Sequence, residues 1–165
     1  MDRKAEPETL LAGLAWTLAC VESAAAALTP AELRIAPAAG GWSANEILWH
    51  IRATADVHGE HIARILDEDE PRWRHVSPRA RMKKSRYDQM QFEESAHALA
   101  EQRSELIARL SGRPPAAWER FARVWVAHRE SEWRLTLRAQ VWGMVSHEEV
   151  HCRELDAIAR GGSGG

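Results

Sequence analysis

The chain has 165 residues, of which 45% are hydrophobic and 28% charged, and its formal net charge is −2. This balance is typical of one globular domain, expected over residues 1–160, with GGSGG at residues 161–165 as a flexible tail. The small net charge excludes a global field that would attract nucleic acid or a membrane surface, so we expect neither as a partner.

The cysteine and histidine content indicates the cellular compartment and the type of chemistry. The two cysteines, Cys20 and Cys152, lie far apart in the sequence, which favours a reducing, cytoplasmic location over a disulfide framework. We expect no signal peptide, and no segment with the roughly 20 apolar residues that cross a bilayer. Eight histidines accompany eight tryptophans, one tyrosine and two phenylalanines. The excess of histidine predicts metal or acid–base chemistry.

Apolar residues at helical spacing predict four long helices. We expect the first over about residues 7–28, the second from about residue 43 to 66, the third over about residues 91–110 and the last over about residues 136–160. The segment 116–133 fits a helix, a strand or a structured loop, and no strand pairing is evident. The predicted fold is therefore all-α, a four-helix bundle with long connections.

Two capping boxes mark where helical segments begin. Ser43 and Glu46 form an S-x-x-E box before the second helix, where Trp42 and Ile47 occupy the positions of a hydrophobic staple. An equivalent T-x-x-E box, at residues 29–32, predicts a short helical turn. We expect Glu46 to act in this cap rather than near a metal.

The last helix contains HEEVH at residues 147–151, which matches the zinc-protease string H-E-x-x-H. His147 and His151 are one turn apart, on or beside the predicted apolar stripe, so both can reach one metal ion. The protease interpretation fails because the sequence after His151 has neither a histidine nor the glycine-spaced extension. Glu154 follows one turn later, but a third ligand along one straight helix is awkwardly placed. We therefore expect the third ligand to come from another helix.

Spacing alone leaves that third ligand open among His50, His58, His61, His75, His97 and His128. His50 and His61 share one line of the second helix and are separated by about 16 Å, so they cannot both bind the same ion. We expect His75 and His97 to be solvated, like most polar side chains. His128 lies in the segment of unassigned structure.

The motifs resemble those of the DinB-like superfamily. GGWSANEILWHI, at residues 40–51, is similar to the family's W-S-x-x-E-x-x-x-H signature, and TLRAQVWGMVSHEEVH, at residues 136–151, is similar to its final helix. EPRW and PAAWER, in the two long connections, also resemble the family. The resemblance covers the chain from about residue 10 to 158.

The resemblance implies a four-helix bundle, often a homodimer, that holds a divalent metal between the second and last helices. Carried over to this sequence, the ligands are His50, His147 and His151. Zinc and nickel both suit imidazole ligands. We expect Glu148 to be solvated or to lie behind the ligands rather than to act as a base, and Cys152 to be a small buried residue.

Two functions follow from the resemblance. Some relatives are metal-dependent thiol transferases that use a low-molecular-weight thiol, such as bacillithiol or mycothiol, against a small electrophile. The alternative is a non-enzymatic, metal-stabilised, stress-associated binding protein. The basic segment 72–86 could attract an anionic cosubstrate if it lies near the metal, or it could be a solvated loop beside the acidic residues 67–70.

Overall fold

Four long helices form the bundle in the computed structural model, which describes residues 5–38, 40–75, 86–126 and 131–162. The helices are α1 (Pro7–Ala27), α2 (Ala44–Asp67), α3 (Phe92–Leu110) and α4 (Leu137–Gly162). Helices α1 and α2 each pack against both α3 and α4, so α3 and α4 lie diagonally across the bundle. The predicted four-helix bundle is confirmed.

The predicted capping box fixes the start of α2. The Ser43 backbone N–H donates to Glu46 Oε2 at 2.8 Å, and the Glu46 N–H donates to Ser43 Oγ at 3.3 Å. Thr29 and Glu32 make the same reciprocal pair before a single 3₁₀ turn, Glu32–Arg34. Because Ser43 sets the first turn, His50 comes two turns later on the buried face of α2.

The expectation of no strand pairing is wrong. The chain forms a three-stranded sheet of β1 (Arg72–Arg74), β2 (Phe121–Val126) and β3 (Ser131–Thr136), in which β1 is parallel and β3 antiparallel to β2. Alternate residues of β2, Ala122 and Val124, are buried, as in a half-buried strand. This alternation of buried residues covers only a few positions of β2. The strand is central in the sheet only because it pairs with β1, about fifty residues upstream.

The sheet joins the end of the bundle where α2 stops and α4 starts. Arg120 donates from Nε to the Ile65 carbonyl at 2.8 Å and from Nη2 to the Glu68 carbonyl at 2.6 Å, which satisfies the last turn of α2. The Leu137 N–H donates to the Arg120 carbonyl at 2.8 Å. The polypeptide therefore enters α4 directly from the sheet.

Helix α1 ends within one residue of its predicted span, with 21 residues over Pro7–Ala27, but it is more apolar than we expected from the sequence. By length and composition it could cross a membrane, with a mean hydropathy of 1.6 in its most apolar window, which corrects the expectation that no segment reaches that length. In the bundle, α1 packs against α3 and α4 through a buried face that includes Leu14, Thr17 and Val21. Only this face of α1 is buried, while most of the other residues of the helix are partly or fully exposed.

A buried ion pair crosses the centre of the bundle. Arg103 of α3 donates from Nη2 to Glu148 Oε1 at 2.7 Å, and Thr17 of α1 donates from Oγ1 to Glu148 Oε2 at 2.8 Å. Both charged side chains are 0% exposed, so the expectation of a solvated Glu148 is wrong. Burial raises the pKa of Glu148, while Arg103 and the two hydrogen bonds oppose that rise.

A second polar contact joins α2 to α4. His58 Nδ1 lies 2.8 Å from Gln140 Nε2, and because the amide nitrogen is a donor, Nδ1 must be the unprotonated acceptor. Burial, followed by the neighbouring His61 and His147, lowers the pKa of His58 to about 4. The folded protein therefore binds a proton at His58 less readily than the unfolded chain does.

We predict that breaking the central ion pair from one side is costly. Arg103→Met or Glu148→Leu alone should lower the free energy of unfolding by about 3–5 kcal/mol, because each leaves an uncompensated buried charge. The double variant should recover most of that loss, as measured by urea denaturation. The exposed pair Arg160–Asp156 is the matched control, and its disruption should cost under about 1 kcal/mol. Equal losses at the two pairs would contradict this account of the core.

We also predict that His58 makes stability depend on pH. Its contribution is fully present above about pH 6.5, the unfolded value, and is lost as pH falls toward 4. Between pH 7.5 and 5, the metal-free wild type should lose about 2 kcal/mol more stability than His58→Asn, which keeps an acceptor but cannot titrate. Urea denaturation at both pH values measures this difference. Identical losses in the two proteins would show that His58 does not couple folding to protons.

Candidate metal centre

Three histidines from two helices meet at one point. His147 Nε2 lies 3.0 Å from His50 Nε2 and 3.3 Å from His151 Nε2. The three ligand atoms all lie within 4.8 Å of one another. His50 is 7% exposed and comes from α2, while the other two come from adjacent turns of α4. The structure thus brings together the three histidines that the family resemblance implies.

His147 and His151 each show a feature that suits a metal ligand. Burial, followed by the neighbouring His151, lowers the pKa of His147 to about 4, so this ring is neutral near pH 7. His151 Nδ1 lies 2.8 Å from Glu154 Oε2. A carboxylate on Nδ1 holds the proton there and leaves the Nε2 lone pair directed at the cluster. Glu154 therefore lies behind His151 as its hydrogen-bond acceptor.

The nitrogen separations fit a shared cation. Two nitrogens bound at 2.0–2.1 Å, at the angles of octahedral or tetrahedral coordination, lie roughly 2.9–3.4 Å apart. The observed separations of 3.0 and 3.3 Å fall inside that range. Three neutral imidazoles are a donor set for zinc, nickel and related divalent ions.

Trp42 covers one side of the cluster. Its ring stacks on His151 with a centroid distance of 6.0 Å and tilts against His50 at 4.9 Å. The preceding residues Gly40 and Gly41 have φ of 87° and 111°, a region that only glycine occupies readily. This double glycine turns the chain so that Trp42 reaches the cluster immediately before the Ser43 cap.

Four of the remaining histidines lie outside the cluster. His61 stacks on Trp73 of β1 at 4.2 Å, about 16 Å along α2 from His50, and is thereby separated from the cluster. His58 contacts Gln140. His75 and His97 are exposed, as predicted. His128 lies outside the described residues.

Two further residues near the motifs match their predicted roles. Glu46 accepts from the Ser43 backbone and hydroxyl at 2.8 and 2.9 Å, so it acts in the cap. Cys152 is 1% exposed, a small buried residue as predicted. Its carbonyl accepts a weak hydrogen bond from the Cys20 thiol at 3.5 Å, which places the two distant cysteines side by side.

The structure describes only part of the basic segment 72–86. Arg72 and Arg74 lie on β1, whose central residue Trp73 stacks on His61 rather than near His50. These two arginines are therefore separate from the histidine cluster. Residues 76–85, which hold most of the remaining basic side chains of this segment, lie outside the described residues.

Sequence reasoning missed three residues that shape the site. The staple pattern predicts only a packing role for Trp42, although this residue lies directly before the helix that carries His50. Arg103 lies between Leu99 and Leu106 at helical spacing, and Thr17 lies one turn after Leu14. Arg103 and Thr17 are each a polar side chain on an apolar stripe, and this pattern indicates a polar contact inside the core, because such residues must find partners there.

Comparisons with known proteins identify the relatives of this chain. A family model for the DinB superfamily matches residues 14–155. The fold is similar to YfiT from Bacillus subtilis, described as a probable metal-dependent hydrolase with an unusual four-helix bundle topology, at 17% identity and a TM-score of 0.74, over 97% of this chain and 91% of that one. No curated protein sequence gives a significant match.

A second solved structure has the same fold in a longer protein. The mycothiol-dependent maleylpyruvate isomerase is 14% identical with a TM-score of 0.68, over 92% of this chain and 61% of the isomerase. The chain thus spans about three fifths of that enzyme, and identities this low show the fold alone. The family match over most of the sequence settles the relationship: this chain belongs to the DinB superfamily.

Proposed function

We propose that the protein binds one divalent metal ion, zinc or nickel, through His50, His147 and His151, and that it is a thiol S-transferase acting on small electrophiles. The observation that carries the proposal is the convergence of three Nε2 atoms, with separations of 3.0 and 3.3 Å, on one point between α2 and α4. Nitrogen lone pairs this close repel one another unless a proton or a cation lies between them.

The donor set supports a reactive site as well as a structural one. Three neutral ligands leave the ion its full positive charge and an open position, which together lower the pKa of a thiol or water that binds there. His151 is held by Glu154 at 2.8 Å. Trp42 shields the cluster from water on one side. The protein residues therefore supply orientation and partial exclusion of solvent.

The relatives support two kinds of chemistry at such a site. The mycothiol-dependent isomerase supports a low-molecular-weight thiol as cosubstrate, and YfiT, described as a probable hydrolase, supports attack by water. We favour the thiol because Glu148, which would be the base for attack by water, is committed to Arg103 and Thr17 in the core. A homodimer in the cytoplasm stays a prediction from the resemblance and composition.

We predict that protein purified without a polyhistidine tag carries about one divalent ion per chain, by elemental analysis. His50→Ala, His147→Ala and His151→Ala should each lose the ion, since two imidazoles seldom retain it against a chelator. Glu154→Ala should weaken metal binding about 10-fold or more through the orientation of His151. His61→Ala, which changes the same residue type on the same helix, is the matched control and should retain metal. Equal retention in His50→Ala and wild type would overturn the ligand assignment.

We further predict that a thiol alters the visible spectrum of the cobalt-loaded protein. The loaded protein should then consume the thiol with a halogenated aromatic electrophile, as the sulfur–carbon bond forms and the halide leaves. His147→Ala should show no turnover above the uncatalysed rate, while the exposed-histidine variant His97→Ala should match wild type. A metal-loaded protein that consumes no thiol with any of a panel of electrophiles would favour the non-enzymatic, metal-stabilised binding protein.

A further inference from the structure

We infer that the electrophile is an apolar small molecule without negative charge, and that it binds in a cavity of about 820 Å³ beside His151. This inference rests on the proposed function, because it assigns the second substrate of the same metal site. The cavity volume lies within the roughly 300–1,000 Å³ typical of small-molecule pockets.

The cavity lies between the end of α1, the loop that follows it and the last turns of α4. Its apolar wall is formed by residues from all of these elements and from the first turn of α2, including Leu28, Ile35, Ile47, Ala157 and Ile158. Water gains little from such a surface, so an apolar ligand of matching size is favoured there. The cavity therefore favours a ligand with an apolar surface.

Two residues connect the cavity with the histidine cluster. Trp42 and His151 both line the cavity, and they stack on each other at 6.0 Å. His151 also lies 3.3 Å, between Nε2 atoms, from His147. A molecule in the cavity therefore contacts the same imidazole and indole that border the metal centre, which suits a substrate that must meet a nucleophile there.

The two charged side chains among the described lining residues of the cavity are carboxylates, which disfavour an anionic ligand. They are Glu32 and Glu154, and the same described residues include no lysine or arginine. The Thr29 backbone N–H and hydroxyl each donate to Glu32 Oε2 at 2.7 Å, which lowers the pKa of Glu32 and keeps it negative at neutral pH. Two negative groups beside an apolar wall repel an anionic ligand and accept a neutral or cationic one.

The assignment also separates the electrophile from a thiol that carries negative charge. An anionic thiol needs cationic partners, and Arg72 and Arg74 are near His61 instead of this cavity. The cavity beside His151 is therefore suited to the electrophile and unsuited to an anionic thiol.

Two fluorescent probes of nearly equal shape test the inference. N-phenyl-1-naphthylamine is neutral, and its sulfonated derivative, anilinonaphthalene sulfonate, adds one negative charge. Binding is titrated at low ionic strength to the protein as purified and, in parallel, to protein stripped of metal by a chelator. The neutral probe should bind at least about 10-fold more tightly than the sulfonate. Glu32→Gln keeps the capping acceptor but removes its negative charge. It should therefore reduce the ratio between the affinities for the neutral probe and the sulfonate.

Substitutions that fill the cavity give the matched comparison. Ala157 is exposed on α4 and lines the cavity, so Ala157→Trp should weaken the neutral probe about 10-fold or more by occupying its space. Ala38→Trp fills the opposite wall and should do the same. Ala15→Trp places the same side chain on the exposed face of α1, away from the cavity, and should leave binding unchanged.

Equal binding of the two probes would overturn the inference, and so would the absence of any effect of both cavity-filling variants. A third contrary outcome is that no probe binds and that Ala157→Trp changes the oligomeric state. The last result would make the cavity an interface with a second copy of the chain. The titration of the metal-free protein gives a result that is independent of metal content. Probe binding that follows these expectations in a protein that never retains metal would overturn the proposed function and leave the cavity assignment standing.

Discussion

The buried ion pair between Arg103 and Glu148 is the interaction on which the arrangement of the bundle depends. It joins α3 and α4 across the centre, and Thr17 adds α1 to the same carboxylate. Glu148 must point at the core to keep these partners, because a buried carboxylate without them is strongly unfavourable. Since consecutive helical residues differ in direction by about 100°, this orientation turns His147 toward α2.

The geometry of the candidate metal centre follows from that rotation together with the start of α2. The capping box at Ser43 determines which residues of α2 face inward, and His50 is one of them. Helix α4 then supplies His147 and His151 from successive turns at the boundary between buried and exposed surface. A small rotation of either helix would separate nitrogens that now lie 3.0 and 3.3 Å apart. The buried pair of Arg103 and Glu148 thus influences the positions of the three histidines through the orientation of α4, without contacting a substrate.

The loop between α1 and α2 gives the site its surroundings. Gly40 and Gly41 adopt backbone conformations that deliver Trp42 onto the imidazoles. The same loop forms a wall of the apolar cavity. One short segment therefore shapes both the shielded side of the histidine cluster and the space from which a second molecule would approach. Loops of this kind commonly set the specificity of a site whose reactive groups lie on rigid helices.

The four helices, both capping boxes and the spacing of His147 and His151 could be predicted from the sequence, because these features depend on contacts between residues within about one helical turn. Motif resemblance added His50, which the spacing of α2 could not separate from His61. Three further features became visible only in the folded protein: the partners of Glu148, the sheet around β2 and the cavity beside His151. Each depends on segments brought together from distant parts of the chain, and helical or strand periodicity specifies which face of an element is buried but not which face of another element meets it.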